Sequence, residues 1–145
     1  MKKLVLDASV VLKWFLPDEE LGQRALNILD NYVGGELELI EPSILPYEVL
    51  NGLLVAERRG RISQKVTNEA FYAFLELGIQ FHDTYVDFSE ILPFARSSQR
   101  SVYDASYMAL AKKKDIDFVT ADRRLHNAVK GTLERVRWLG NTDTS

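Results

Sequence analysis

The chain has no cysteine among its 145 residues, which excludes a disulfide framework, a thiolate nucleophile and a Cys-ligated zinc site together. It also lacks any apolar run approaching the roughly 18 residues of a membrane span. The start, Met1-Lys2-Lys3 followed by Leu4 to Asp7, has a basic flank but no long apolar region and no small-residue cleavage site, so no secretory leader is expected. Positive charge is not in excess either. The 18 Lys and Arg against 21 Asp and Glu leave a net charge of -3, unlike the strongly basic domains that hold nucleic acid by bulk charge. Gly34-Gly35 and Gly60 stand isolated, leaving neither a Walker loop nor a dinucleotide fingerprint. His82 and His126 fit no triad or zinc spacing, and Ser9 has no nucleophile-elbow setting. These absences describe a cytoplasmic chain without a membrane partner.

What is present is an apolar content of 46%, enough for one real core and too short a chain for two domains. The expectation is a single domain over 1–140 and a disordered tail over 141–145. Lys3 to Leu6 reads as a strand, followed by a helix through Leu12, Phe15 and Leu16 that stops at Pro17. Asp18-Glu19-Glu20 reads as the opening of a second helix, with the three acids as dipole partners in its first turn, ending at Gly34-Gly35. Leu37 to Ile40 is a second strand, and Pro42-Ser43 introduces a helix to about Arg59. Ser63 caps a further helix to about Leu77.

Ile79 to Phe81 is a third strand, and Phe88 to Ala95 a helical pattern interrupted early by Pro93. Ser101-Val102-Tyr103-Asp104 is a capping-box pattern before a helix over 102–113, with Ala105, Met108, Ala109 and Lys112 on one face. Phe118 to Thr120 is a fourth strand, Asp122 to Ala128 a short helix, and Val136 to Leu139 a last strand. Strands alternating with helices imply a parallel sheet covered on both faces and joined by right-handed crossovers.

Four acids stand where this pattern passes from strand to helix or near a helix start: Asp7, Glu48, Asp104 and Asp122. Each of three has an ordinary explanation, since Asp7 and Asp122 read as N-caps and Asp104 as the third residue of a capping box, features worth about 0.5 to 2 kcal/mol. Glu48 differs. It shares an apolar stripe with Ile44, Leu45 and Val55, and no basic residue lies one turn away, so a buried charge there needs a partner or a cation. Ligands of an open α/β sheet bind beyond the carboxyl ends of the strands, and all four acids fall on that edge. Oxygen-only ligands suit Mg²⁺ or Mn²⁺. Such an ion lowers the pKa of a bound water for attack on phosphorus.

In order, Leu4-Val5-Leu6-Asp7-Ala8-Ser9, Pro46-Tyr47-Glu48-Val49, Val102-Tyr103-Asp104-Ala105 and Phe118-Val119-Thr120-Ala121-Asp122 resemble the PIN-domain ribonucleases, specifically the VapC-type toxins, from about residue 4 to 139. The resemblance implies a three-layer α/β/α sandwich with a central parallel sheet of four to five strands. It implies Mg²⁺ or Mn²⁺ as cofactor, hydrolysis of RNA, a homodimer and inhibition by a small cognate antitoxin. Carried to matching positions, it makes Asp7, Glu48 and Asp104 the core carboxylates, with Asp7 and Asp104 as metal ligands and Asp122 a more variable fourth. Ser9 and Thr120 match small hydroxyl positions beside the first and last acids, where they hydrogen-bond a carboxylate or a metal-bound water. Their ordinary reading is a helix-start and a strand-end hydroxyl. Asn51, one turn after Glu48, reads either as a further support of the site or as a buried helix-packing residue.

Other chemistries fit less well. A phosphoryl-aspartate phosphatase wants Asp-x-Asp after the first strand, where this chain has Ala8 and Ser9 after Asp7. Asp115-Ile116-Asp117 reads as a solvated turn ahead of a strand. The basic clusters at 58–61, 96–100, 112–114 and 123–124 read as solvated helix ends, or as flanks of the cleft that hold RNA phosphates. A PIN nuclease of RNA processing and a catalytically weak PIN-like scaffold stay open as alternatives.

Overall fold

The computed structural model describes residues 1–83 and 88–141. Strands and helices alternate along it: β1 (Lys2–Leu6), α1 (Ala8–Phe15), α2 (Gly22–Val33), β2 (Leu37–Pro42), α3 (Leu45–Arg58), α4 (Gln64–Glu76) and β3 (Gln80–His82), then α5 (Phe88–Ser98), α6 (Val102–Lys114), β4 (Asp117–Thr120), α7 (Arg123–Val129) and β5 (Val136–Trp138). Asn141 belongs to a closing 3-10 turn, Leu139–Asn141. The rest of the expected tail, 142–145, lies outside the described residues.

The five strands form one sheet in the order β3-β2-β1-β4-β5, and every pairing is parallel. Leu4, Val5, Leu6, Leu39, Ile40, Phe118 and Val119 are all buried, the near-continuous apolar runs of strands covered on both faces. Right-handed crossovers from β1 outward to β3 and then back across to β4 and β5 place α1 to α4 on one face and α5 to α7 on the other. The helix pairings follow that division, with α1 against α2 and α3, α3 against α4, and α5 against α6. This is the α/β/α sandwich with a sheet of five strands. Strand order reverses between β1 and β4, which makes the carboxyl ends of those strands the place for a ligand.

Four local expectations change. Asp18 to Glu20 do not open α2: the helix begins at Gly22 after Leu21 in the left-handed region, and Asp18 and Glu19 instead pair with Arg61 at 3.3 and 3.1 Å. Pro93 does not interrupt α5, which continues to Ser98. The loss of one backbone donor there is offset by a buried face of Ile91, Phe94, Ala95 and Ser98 packed against α6. In α6 every residue from Ala105 to Ala111 is buried, so the helix is enclosed on all sides rather than along one face. In α3 the buried stripe runs through Leu45, Val49, Leu53 and Ala56, one step round the helix from the one expected, which leaves Glu48 half-buried at its edge.

Gly52 sets how closely α3 approaches α1. A Cβ there would stand 2.4 Å from a terminal carbon of Leu12. The missing side chain therefore lets the helix carrying Glu48 close onto the helix capped by Asp7.

Candidate active site

Asp7 ends β1 and caps α1, accepting the Ser9 amide at 3.1 Å and the Ser9 hydroxyl on one oxygen, and the Thr120 hydroxyl at 2.5 Å on the other. Ser9 Oγ in turn accepts the Ala121 amide at 2.9 Å, and Thr120 Oγ1 accepts the Asp122 amide at 3.1 Å. Both hydroxyls are thus shared between the carboxylate and the chain leaving β4, which ties the carboxyl ends of β1 and β4 together. Asp7 is only 6% exposed. Its burial, helped by the charge of Asp104, outweighs the hydrogen bonds it accepts and pushes its carboxyl up to about 7.

Glu48 lies in the first turn of α3 and accepts a 2.5 Å hydrogen bond from the Tyr107 hydroxyl. Burial raises its pKa first, with Asp104 adding to the effect. Tyr107 is fully buried in α6 and stacks on Phe118 of β4 at 5.9 Å between centroids. Desolvation and the neighbouring Glu48 push its ionisation far up, so it remains a hydrogen-bond donor at any physiological pH.

Asp104 shows one arm of a capping box, with its amide bonded to Ser101 Oγ at 3.0 Å. Its carboxylate does not return to Ser101 but accepts from Arg100 Nε at 3.0 Å. Asp122 caps α7 by accepting the Leu125 amide at 3.1 Å, and its other oxygen accepts from Arg100 Nη2, also at 3.1 Å. Capping and cleft membership therefore coexist in Asp7 and Asp122. Asn51 lies apart, exposed on a groove of about 390 Å³ that it lines with Glu48, Tyr47 and Tyr103. It is neither a buried packing residue nor bonded to any of the four acids.

Three residues of this edge escaped the sequence reading. Tyr107 stands three positions after Asp104, one helical turn further on, a spacing that offered a signal. Arg100 was read only as part of a basic cluster. Glu41 is fully buried at the end of β2, where its Oε1 accepts the Leu6 amide at 2.6 Å and its Oε2 has no hydrogen-bond partner among the described residues. Desolvation raises its pKa well above the ordinary value, and the charge of Asp7 adds to this. The strand was expected to end at Ile40, one residue short of it. A charge inside an apolar run was the available signal. Elsewhere, Asp115 and Asp117 both pair with Arg135, and Arg123 lies over the Trp138 ring at 4.5 Å.

Among the described residues no three His, Asp or Glu side chains are gathered tightly enough to hold an ion as they stand. The chemistry of the donors nevertheless fits an oxygen-seeking divalent cation. Asp7 and Glu48 are both raised in part by the charge of Asp104, so the cleft holds carboxylates that repel one another and that a cation would relieve.

The model of the PIN domain family matches residues 4–131. Ribonuclease VapC3 of Pyrobaculum aerophilum is 29% identical over 126 residues, covering 85% of this chain and 92% of that protein. The solved structure of PAE2754 from the same organism has a TM-score of 0.64 at 22% identity, covering 96% of this chain and 85% of that one. VapC20 of Mycobacterium tuberculosis, described as a sarcin-ricin-loop-cleaving toxin, has a TM-score of 0.61 at 14% identity over 86% of this chain and 94% of its own. Among the described residues no helix is long and apolar enough to cross a membrane. The family model covers most of the chain and every one of the four acids, from Asp7 to Asp122, and this chain belongs to the PIN domain family.

Proposed function

We propose that this chain is a divalent-metal-dependent endoribonuclease that acts in the cytoplasm as the toxin of a toxin–antitoxin pair. The observation that carries the reading is Asp7: a carboxyl at the strand-order reversal, held by two hydroxyls and raised chiefly by its burial and further by the charge of Asp104. Asp7 and Asp104 would hold Mg²⁺ or Mn²⁺, with Glu48 and Asp122 joining directly or through water. Such an ion supplies a Lewis acid for the phosphate and a more acidic water as nucleophile.

The protein's own residues prepare that chemistry. Ser9 and Thr120 fix the orientation of Asp7 from both sides. Tyr107 holds Glu48 by donating to it and stays protonated while doing so. Asn51 and Tyr47, exposed along the groove beside Glu48, are placed to meet the RNA chain. The exposed Arg123 and Arg124 follow Asp122 directly and offer positive charge to its phosphates.

The purified chain is expected to cleave RNA with Mg²⁺ or Mn²⁺, to stop with EDTA, and to lose at least about a hundredfold in rate as Asp7→Asn. Unchanged cleavage by Asp7→Asn would sink the assignment. Growth arrest on expression of the intact chain, relieved by a short neighbouring antitoxin, separates the toxin from a nuclease of RNA processing. A homodimer completes the reading, supported by an apolar trench that Phe88 and Leu92 of α5 and Val102 and Tyr103 of α6 line.

A further inference from the structure

We propose that Arg100 is the built-in counter-cation of the acidic cleft: its guanidinium holds Asp104 and Asp122, and a divalent ion entering the cleft must take those carboxylates from it. The inference rests on the metal reading of the cleft. Arg100 is fixed by the chain on either side of it. Gln99 ends α5 in the left-handed region with φ 56°, its amide reaching Arg96 O at 3.4 Å and the Arg100 amide reaching Ala95 O at 3.2 Å, a closure that satisfies the last carbonyls of a helix. Ser101 then caps α6 at once. The joint leaves Arg100 no loop in which to wander, and it stands one residue before the N-cap of the helix that carries Asp104.

The guanidinium fork divides itself between two acids, with Nε on Asp104 Oδ2 at 3.0 Å and Nη2 on Asp122 Oδ2 at 3.1 Å. A planar fork of donors suits such sharing in a way an ammonium does not. The second oxygen of Asp122 is spent on the Leu125 amide, so Arg100 occupies the one oxygen that this acid can turn toward the cleft without uncapping α7. A divalent ion bound by Asp104 would lie within a few ångströms of the guanidinium, where two positive charges sharing carboxylate oxygens repel in a partly desolvated setting. The side chains of Arg100, Asp104 and Asp122 are 27%, 24% and 38% exposed, which softens the repulsion without removing it.

The test is Mn²⁺ binding to the full chain, followed by the paramagnetic resonance of free Mn²⁺ and, separately, by the rise in thermal midpoint on adding the ion. Arg100→Gln is expected to bind Mn²⁺ about tenfold more tightly than the wild type at low salt. Arg100→Lys, which keeps the charge and loses the fork, is expected to lie between. If Arg100→Gln does not fold, Arg100→Lys carries the same prediction in the same direction. Mn²⁺ binding by the wild type that equals or exceeds that of both variants overturns the inference and leaves the metal reading standing. Folded wild type and variants that all fail to bind Mn²⁺ overturn both.

Discussion

Burial of Asp7 works against its charge, and the consequence is a definite pH dependence. A carboxyl raised from 3.8 to about 7 in the fold binds its proton more tightly folded than unfolded. Its contribution is therefore whole below about pH 4 and is lost as pH climbs to about 7, by on the order of 4 kcal/mol at most. With metal chelated, the wild type is expected to lose stability between pH 5 and pH 8. Asp7→Asn, which has nothing to titrate there, should lose less and be the more stable of the two at pH 8. Glu41 is raised in the same direction, so some fall remains in the variant. Urea unfolding at both pH values checks this, and equal losses in the two proteins would refute it. At this scale the sequence displayed what sits at a strand end, such as Asp7, and concealed what depends on a partner far along the chain. Arg100 meets Asp122 across 22 residues and Glu41 meets Leu6 across 35, and no local pattern encodes either meeting.

Among the elements, all five strands were legible, β1 and β4 as short apolar runs and β2, β3 and β5 from apolar residues at alternate positions such as Leu37 and Leu39, Ile79 and Phe81, and Val136 and Trp138. Most helix starts were legible because Asp7, Ser63, Ser101 and Asp122 do cap. The start of α2 was misread because acids favour a first turn in general, whereas these acids had a distant partner in Arg61. The angle between helices was not legible at all, although α1 and α3 must close for Asp7 and Glu48 to share an edge. Gly52 is where that closure is enforced. Gly52→Ala forces a carbon to within 2.4 Å of the Leu12 side chain. That side chain is packed against the core, so shifting it is expected to cost about 1–3 kcal/mol, against a propensity gain for alanine of up to about 1 kcal/mol. A thermal melt of Gly52→Ala that matches or exceeds the wild type would show that Leu12 yields freely and that the approach of α3 is not limited there.

At the scale of the whole molecule, an apolar surface between α5 and α6 is left uncovered among the described residues. Phe88 and Leu92 of α5 and Val102 and Tyr103 of α6 are 44–57% exposed and line a trench of about 470 Å³ with Ile44, Ile91 and Ser106. Exposed apolar side chains gathered in this way mark a contact surface, and the pocket has hardly any polar lining with which to hold a small ligand. A second copy of the chain suits it, because a two-fold interface needs a self-complementary patch, and an apolar trench walled by two helices can meet itself. Ile44 and Tyr103 also line the groove that holds Glu48, so a partner seated there would border the cleft and shape the path of RNA into it. Leu92 is exposed, and Leu92→Glu should not disturb the core. It does place a charge in the middle of the trench, where burial against a second copy would cost several kcal/mol. Light scattering is expected to give twice the chain mass for the wild type and the single mass for Leu92→Glu, with unfolding midpoints close together. A wild type that remains monomeric at high micromolar concentration would remove the second copy from the trench and leave it to a partner of another kind.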